Sequence, residues 1–277
     1  MDYTELDQPD IQRLLFHPRQ QKELSSTATR HTINVAADDS DTLGCRFFID
    51  EPASPTLLYF HGNGETVNDY EEIAPLFVKR GLNVFVATYR GYGWSSGIPS
   101  ATVMMKDSLK AYAAAVAAME KFGLKDTLFV MGRSIGSAPA LEICSHFSDS
   151  VKGLIIDSGF ARTLPLLENL GYDTTRSALS EKDGFGNLEK IEEIEIPTLF
   201  LHGSQDHIIP IRQAEQLQAF SGARTKKFFV IPGADHNSVL AVGGELYFEA
   251  IKDFIDDITG ATSWRQRRKQ FKNQRRS

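Results

Sequence analysis

The chain has 277 residues, of which 42% are hydrophobic and 24% are charged, and its formal net charge at pH 7 is −6. This length and composition predict one large globular domain with a sizeable core. No run of eighteen apolar residues is present, and the acidic first segment lacks the apolar centre of a secretory signal, so we expect a cytoplasmic protein. The two cysteines, Cys45 and Cys144, have no disulfide or zinc-ligand spacing, and we expect neither a metal nor a cofactor.

From about residue 30 the chain alternates apolar runs with amphipathic stretches, which is typical of a mostly parallel sheet flanked by helices. Two leading runs, ATRHTINVAA and TLGCRFFI, are separated by a turn and predict an antiparallel pair. Six later runs, rich in β-branched and aromatic residues, are predicted buried strands: TLLYFHG, LNVFVATY, TLFVMG, VKGLIIDS, IPTLFLHG and KKFFVIPG. Helices are predicted over about 68–79, 102–122, 135–147, 211–220 and 244–258. The pattern predicts a single α/β domain of about eight strands over residues 30–258.

The longest interruption of this alternation lies between the strands VKGLIIDS and IPTLFLHG, and it is about twice as long as a simple crossover needs. In open α/β sheets, ligands bind beyond the carboxyl ends of the strands. We therefore predict a short cap insertion over about 160–195. It carries several apolar residues: Phe160, Leu164, Leu166, Leu167, Leu170 and Tyr172. As a pocket cover they favour an apolar acyl group of short to medium length, whereas as helix packing they carry no information on the substrate.

The two ends of the chain fall outside the predicted domain. Residues 1–29 are interpreted as an N-terminal extension, and residues 259–277 as a basic, disordered C-terminal tail. The last thirteen residues, RQRRKQFKNQRRS, contain seven Lys or Arg and no acid. The alternative for this tail is a weak electrostatic contact with an anionic surface, lipid or nucleic acid, with Trp264 and Phe271 as interfacial anchors. The acidic body of the protein disfavours nucleic-acid binding by the whole chain.

A serine between two glycines follows the predicted strand TLFVMG, in the sequence GRSIGS. Ser134 then lies on a strand–turn–helix connection, the context of a nucleophile elbow. Gly132 and Gly136 flank this serine, and we expect that a larger side chain at either position would collide with the backbone across the turn. Gly-x-Ser-x-Gly also occurs by chance, so the interpretation depends on whether a base, an acid and an oxyanion site follow in the right order.

Candidates for those partners occur in the order that such hydrolases use. His236, in the loop after the last predicted strand, is the candidate base, although an isolated loop histidine is more often only polar surface. Asp206, after the strand IPTLFLHG, is the candidate acid that orients it, with a helix-capping role as the alternative. Asp157, at the end of its own strand, is a second candidate for the acid.

The loop HGNGE, residues 61–65, follows another buried strand and is a candidate oxyanion site. Attack on a carbonyl places negative charge on its oxygen, and two fixed backbone N–H groups stabilise that charge. The N–H of Ile135, which follows the nucleophile, is one candidate donor. The second is the N–H of Asn63 or Gly64. The alternative is a glycine-rich turn that only begins a helix.

Five motifs, HGNGE, RGYGWSSG, GRSIGS, HGSQDHIIP and GADHNS, occur in this order. Together they resemble the α/β-hydrolase superfamily, and in particular small single-domain serine hydrolases of the type that includes acyl-protein thioesterases. The resemblance covers about residues 30–258. It implies a catalytic triad of Ser134, Asp206 and His236, and an oxyanion hole formed by Asn63 and Ile135. Depalmitoylating members carry a cysteine-rich, lipidated N-terminus, whereas this chain has no cysteine before Cys45.

The predicted activity is that of a serine hydrolase that cleaves a carboxylic ester or thioester of a small-molecule or acyl substrate through an acyl-enzyme. An amidase or peptidase with the same groups is one alternative, for which Glu168 and Glu181 are candidate acidic anchors. A non-catalytic binding module is the other. His61 and His202, each before a glycine at a strand end, are interpreted as hydrogen-bonded scaffold residues, and Trp94 either lines the pocket or supports its own glycine-rich loop.

Overall fold

The computed structural model describes residues 1–37 and 40–261. Its strands are β1 Arg30–Ala36, β2 Thr42–Phe48, β3 Thr56–Phe60, β4 Asn83–Ala87, β5 Leu128–Arg133, β6 Val151–Asp157, β7 Thr198–Gly203 and β8 Lys226–Ile231. Its α-helices are α1 Pro9–Leu15, α2 Tyr70–Val78, α3 Ala101–Lys121, α4 Ser137–His146, α5 Thr163–Asn169, α6 Asn187–Glu193, α7 Arg212–Phe220 and α8 Val239–Thr259. The strands and most helices lie close to their predicted positions.

All eight strands form one sheet in the order β1-β2-β4-β3-β5-β6-β7-β8. β1 pairs antiparallel with β2, and β2 antiparallel with β4, while every later pair is parallel. Strand β5 lies between β3 and β6, so the carboxyl ends of these three strands meet at one edge of the sheet. The predicted mostly parallel, eight-stranded sheet with a leading antiparallel pair is confirmed.

The core lies on both faces of the sheet. One apolar layer holds residues of α3, α4, α6 and α7, and the other holds residues of α2 and α8. Every residue of β3 and β4 is buried, which explains why these strands read as continuous apolar runs rather than alternating ones.

The N-terminal residues pack onto this domain. A 3₁₀ helix, Thr4–Asp7, precedes α1, and Leu6, Ile11 and Leu15 are buried in the core. The Lys190 ammonium donates to the hydroxyl of Tyr3, and this hydroxyl donates to the carboxylate of Glu142. These contacts join the first residues to helices α4 and α6, more than one hundred positions away.

The predicted cap region contains helices α5 and α6, with 3₁₀ helices at Thr174–Arg176 and Glu181–Asp183. The first N–H groups of α5, from Thr163 and Leu164, donate to the carboxylate of Glu181, each at 2.9 Å. Because that carboxylate satisfies backbone donors at the start of a helix, Glu181 acts as a cap for α5. The cap is therefore held together by a contact between its own two halves.

Helix α8 begins at Val239, five residues earlier than predicted. Gly244 breaks the regular helical backbone with φ of 47°, and this break separates the first turns from the rest of the pattern. Among the described residues, no helix is long and apolar enough to cross a membrane. Most of the predicted tail, including Trp264 and Phe271, lies outside the described residues.

Candidate active site

Ser134 occupies a tight turn between β5 and α4. Its φ of 54° lies in the left-handed region, which is uncommon for any residue but glycine and costs on the order of 1–3 kcal/mol. A Cβ atom on Gly132 would lie 2.2 Å from the carbonyl oxygen of Gly136, and one on Gly136 would lie 2.3 Å from that of Phe60. Both glycines are therefore required sterically, as the sequence predicts, and the turn holds the serine in a strained conformation.

The structure brings Ser134, His236 and Asp206 together. The hydroxyl of Ser134 lies 2.8 Å from Nε2 of His236, and Nδ1 of His236 lies 2.7 Å from Oδ2 of Asp206. An ionised carboxylate only accepts hydrogen bonds, so Nδ1 carries the proton and Nε2 is left as the acceptor for the serine hydroxyl. All three side chains are buried. This arrangement of nucleophile, base and orienting acid can activate an alcohol.

The Asp206 carboxylate accepts three hydrogen bonds and has a second imidazole beside it. Oδ1 accepts the N–H groups of Ile208 at 3.0 Å and Ile209 at 2.8 Å, while Oδ2 accepts His236 and lies 3.4 Å from Nε2 of His202. Burial by itself would raise the pKa of Asp206, but the neighbouring His202, the hydrogen bond from His236 and the N–H of Ile209 outweigh it and hold the pKa well below its usual value. Asp206 is therefore charged and can stabilise a protonated His236.

Asp157, the second candidate acid, has other partners. It accepts the hydroxyl of Tyr247 at 2.8 Å and that of Ser158 at 2.9 Å, and Nε of Arg133 lies 3.9 Å from it. The acid that contacts His236 is Asp206.

The candidate oxyanion residues line the same cavity as Ser134 and His236. Among the described residues, no protein acceptor receives the backbone N–H of Asn63 or that of Ile135. The side chain of Asn63 is fixed, because its Oδ1 accepts the N–H of His17 and the hydroxyl of Tyr92, each at 2.7 Å. Nδ2 of Asn63 in turn lies 2.7 Å from Nδ1 of His17. Both N–H groups are thus available to an incoming ligand.

The cavity has a volume of about 210 Å³ and is mostly apolar. Its lining residues are Leu15, His17, Asn63, Arg133, Ser134, Ile135, Leu166, Leu170, Ile208, His236 and Asn237. The cap contributes Leu166 and Leu170, which supports a pocket cover over plain helix packing. Leu15 and His17 were not predicted as site residues, since a short N-terminal segment carries no local signal for a serine more than one hundred residues away. The apolar run LLF at 14–16 was the one hint that this segment packs against something.

Several other candidate residues lie elsewhere. The carboxylate of Glu168 accepts from Thr174, and that of Glu181 caps α5, so neither anchors a ligand in the cavity. The indole of Trp94 donates to Asn34 at 3.0 Å, outside the cavity lining.

The two predicted scaffold histidines are fully buried. Nδ1 of His61 donates to the carbonyl of Gly62 at 2.9 Å, and its Nε2 accepts the hydroxyl of Thr88 at 3.0 Å, so this histidine is fully hydrogen-bonded. Burial lowers the pKa of His61, which keeps the ring neutral. Nε2 of His202 donates to Ile209, but within residues 1–37 and 40–261 its Nδ1 has no partner. His202 also faces Asp206, so it contacts the candidate site as well as the scaffold.

No group of three or more His, Cys, Asp or Glu side chains in the described part of the chain is placed to hold a metal ion. The polar groups that face the cavity are the serine, the imidazole rings, two asparagines and one guanidinium. These groups suit nucleophilic attack on a carbonyl more than coordination of a cation.

A family model described as the alpha/beta hydrolase fold matches residues 55–177. The chain is 32% identical over 206 residues to protein bem46 of Schizosaccharomyces pombe, covering 73% of this chain and 67% of that protein. It is 30% identical over 226 residues to the alpha/beta hydrolase domain-containing protein WAV2 of Arabidopsis thaliana, covering 74% of this chain and 71% of that protein.

Solved structures share the same architecture. The esterase Pf2001 of Pyrococcus furiosus superposes with a TM-score of 0.66 at 16% identity, covering 86% of this chain and 99% of the esterase. Identity this low shows a common fold alone. The fold, the family match and the two relatives lead to one conclusion: the chain belongs to the α/β-hydrolase superfamily.

Proposed function

We propose that this protein is a serine hydrolase that cleaves carboxylic esters or thioesters through an acyl-enzyme. The observation that supports this most strongly is the pair of short hydrogen bonds that joins Ser134 to His236 and His236 to Asp206. A serine hydroxyl is a poor nucleophile until a base takes its proton, and an imidazole held by a carboxylate is well suited to do so.

In the proposed reaction, Oγ of Ser134 attacks the carbonyl carbon while Nε2 of His236 takes the hydroxyl proton. The carbonyl oxygen becomes negatively charged and is stabilised by the N–H groups of Asn63 and Ile135. His236 then gives its proton to the departing alkoxide or thiolate, which leaves an acyl group on Ser134. Water attacks this acyl-enzyme, His236 takes a proton from the water and returns it to the serine, and a carboxylic acid is released. Asp206 stays ionised throughout.

The size of the cavity limits the acyl group. A dry apolar cavity of about 150 Å³ accommodates benzene, so a cavity of about 210 Å³ suits a chain of roughly six to eight carbons or shorter. Leu15, Leu166 and Leu170 supply an apolar wall for it. We therefore expect short to medium acyl chains to be preferred.

Amide and peptide hydrolysis is less favoured. A peptide N-terminus requires an acidic anchor, and none of the described residues that line the cavity is acidic. Glu168 and Glu181, the two candidate anchors, are engaged in contacts outside the cavity. A binding module that does no chemistry has no need of a strained serine aligned with a histidine, so the site geometry favours an enzyme.

The test is a panel of p-nitrophenyl esters of increasing acyl length, matching acyl-thioesters and aminoacyl amides. We expect ester or thioester turnover to exceed amide turnover, with a maximum at or below eight carbons. Ser134→Ala should lower kcat on the order of 10⁴-fold or more without unfolding the protein. The matched control is Ser108→Ala, which removes a buried serine hydroxyl on α3 that donates to the carbonyl of Met105. Amide turnover above ester turnover, or retention of activity by Ser134→Ala, would contradict the proposal.

A further inference from the structure

A partly buried cluster of charged groups lies beside the proposed catalytic serine, and the proposed reaction does not use it. Its centre is Arg133, the last residue of β5 and the immediate neighbour of Ser134. The Arg133 side chain is 12% exposed and lies between the carboxylates of Glu65 and Asp157. Burying such a set of charges stabilises a fold poorly, because the cost of removing the charges from water offsets most of their attraction. A role beyond stability therefore has to be considered.

The guanidinium group of Arg133 reaches two loops of the site at once. One terminal nitrogen pairs with Oε1 of Glu65, and the other donates to the backbone carbonyl of His236 at 2.8 Å. This second contact is made to the main chain of the very residue whose ring accepts the serine proton. The position of the His236 backbone is thus fixed directly from the strand that carries Ser134.

Glu65 continues the contact into the oxyanion loop. Its Oε2 accepts the N–H of Gly62 at 2.9 Å and the hydroxyl of Tyr70 at 2.8 Å. A Cβ atom on Gly62 would lie 2.6 Å from the Arg133 guanidinium, so the loop backbone passes directly against it. Burial would raise the pKa of Glu65, but the charge of Arg133 leads the effects that lower it below its ordinary value. Glu65 is therefore charged, and it fixes the residue that precedes Asn63.

Asp157 faces the other edge of the guanidinium as an ion-pair partner, with its Oδ2 3.9 Å from Nε of Arg133. Its carboxylate is fully buried and oriented by the hydroxyls of Tyr247 and Ser158. With a carboxylate on each side, the planar Arg133 fork has little freedom to rotate. A lysine could neutralise Glu65, but its ammonium is a point charge and cannot present donors in this planar arrangement to Glu65 and the His236 carbonyl together.

We propose that Arg133 is a positioning residue for the hydrolytic reaction. Its guanidinium fixes the His236 loop and the Asn63 loop relative to Ser134, so that the base and the oxyanion donors are aligned before substrate binds. The inference rests on the proposed function. A displacement of about 1 Å at a reacting group can cost on the order of 10²-fold in rate, so a residue that borders the cavity can set the rate by holding other groups in place.

The chain offers a closely matched control, Arg46 on β2. Its side chain is 3% exposed, its Nε pairs with Glu71 at 2.8 Å, and one terminal nitrogen donates to the backbone carbonyl of Ser25 at 3.0 Å. It therefore makes the same kinds of contact as Arg133, but with helix α2 and the segment before β1 instead of the site. Arg46→Lys reports what a conservative change at a buried, paired arginine does to the fold alone.

The experiment measures the second-order rate of labelling by a fluorophosphonate probe, which needs an aligned Ser134 and His236 but no knowledge of the substrate. We expect Arg133→Lys to slow labelling roughly tenfold to hundredfold and to lower kcat for a p-nitrophenyl ester with little change in KM. Arg46→Lys should label at the wild-type rate. Guanidinium chloride at a sub-denaturing concentration should partly restore the labelling rate of Arg133→Ala, whereas sodium chloride at the same ionic strength should not.

The outcomes separate the two proposals. Suppose that wild type labels at Ser134. If Arg133→Lys then labels as fast as wild type, or is slowed no more than Arg46→Lys, the role of Arg133 is refuted while the proposed function stands. If wild type does not label at Ser134 at all, both fall. Urea denaturation and circular dichroism establish that each variant is folded; should Arg133→Ala not fold, the comparison of the two lysine variants decides.

Discussion

At the scale of single residues, Asp206 shows how burial and hydrogen bonding compete. The side chain is buried, which disfavours its charge, yet two backbone N–H groups and two imidazoles converge on its oxygens. Those donors prevail and hold its pKa low. One carboxylate therefore serves two purposes, since it orients His236 for the proposed reaction and caps the turn that leads to Ile209.

The pKa of Asp206 predicts a pH-dependent contribution to stability. A carboxylate whose folded pKa lies below its unfolded value of about 3.9 stabilises the fold above that pH, and the contribution is lost as pH falls toward the folded pKa. Asp206→Asn lacks this contribution. The difference in unfolding free energy between wild type and Asp206→Asn should be largest near neutral pH and shrink as pH falls from about 5 to 3. Urea denaturation at several pH values measures it, and a difference that does not change with pH would refute the assignment.

The sequence alone was enough to predict the site residues whose side chains would react, accept a proton or orient another group. Ser134, His236 and Asp206 stand in recognisable motifs, and the structure brings these three predicted positions together. Their catalytic roles remain a proposal. Arg133 was not singled out, because an arginine in a Gly-x-Ser-x-Gly motif has no local signal; its importance arises from Glu65 and His236, which meet it only in the fold.

At the scale of elements, the strands were predictable and the cap helices were not. A buried strand is a short apolar run, and that signal is local. Helix α5 has seven residues, and the group that caps it, Glu181, lies eighteen positions beyond Thr163. A helix this short is marginal without such tertiary contacts, so its boundaries could not be derived from its own sequence.

The position of α5 predicts how acyl-chain preference can be changed. Leu170→Ala shortens a side chain that lines the cavity, so the preferred ester should become longer by two to three carbons. The ratio of kcat/KM for the longer chain over the shorter should rise by at least roughly tenfold, since even one methylene in an apolar pocket contributes about 1–3 kcal/mol. A chain-length series of p-nitrophenyl esters measures this.

Leu164→Ala is the matched control for that change. Leu164 lies on α5, and Leu170 directly follows the last residue of that helix. Leu164 packs against the core but does not line the cavity. Its chain-length profile should match that of wild type. An equal shift in both variants, or no shift in Leu170→Ala, would show that α5 does not limit the acyl group.

At the scale of the whole molecule, the cavity is built from distant parts of the chain. The N-terminal segment supplies Leu15 and His17, the cap supplies two leucines, and the ends of the strands supply the reactive groups. The sequence indicated the sheet and the cap but left residues 1–29 as an extension. Their placement depends on contacts such as that between Tyr3 and Glu142, separated by 139 positions, which no local pattern reveals.

In the proposed function, the sheet, the cavity and the charged groups around it together make a single serine nucleophilic. The most direct measurement is therefore the site and stoichiometry of fluorophosphonate labelling, mapped by mass spectrometry of the digested protein. We predict one adduct per chain, on Ser134, with no labelling of Ser134→Ala and at most residual labelling of His236→Ala. Labelling at a different residue, or equal labelling of wild type and Ser134→Ala, would contradict the account.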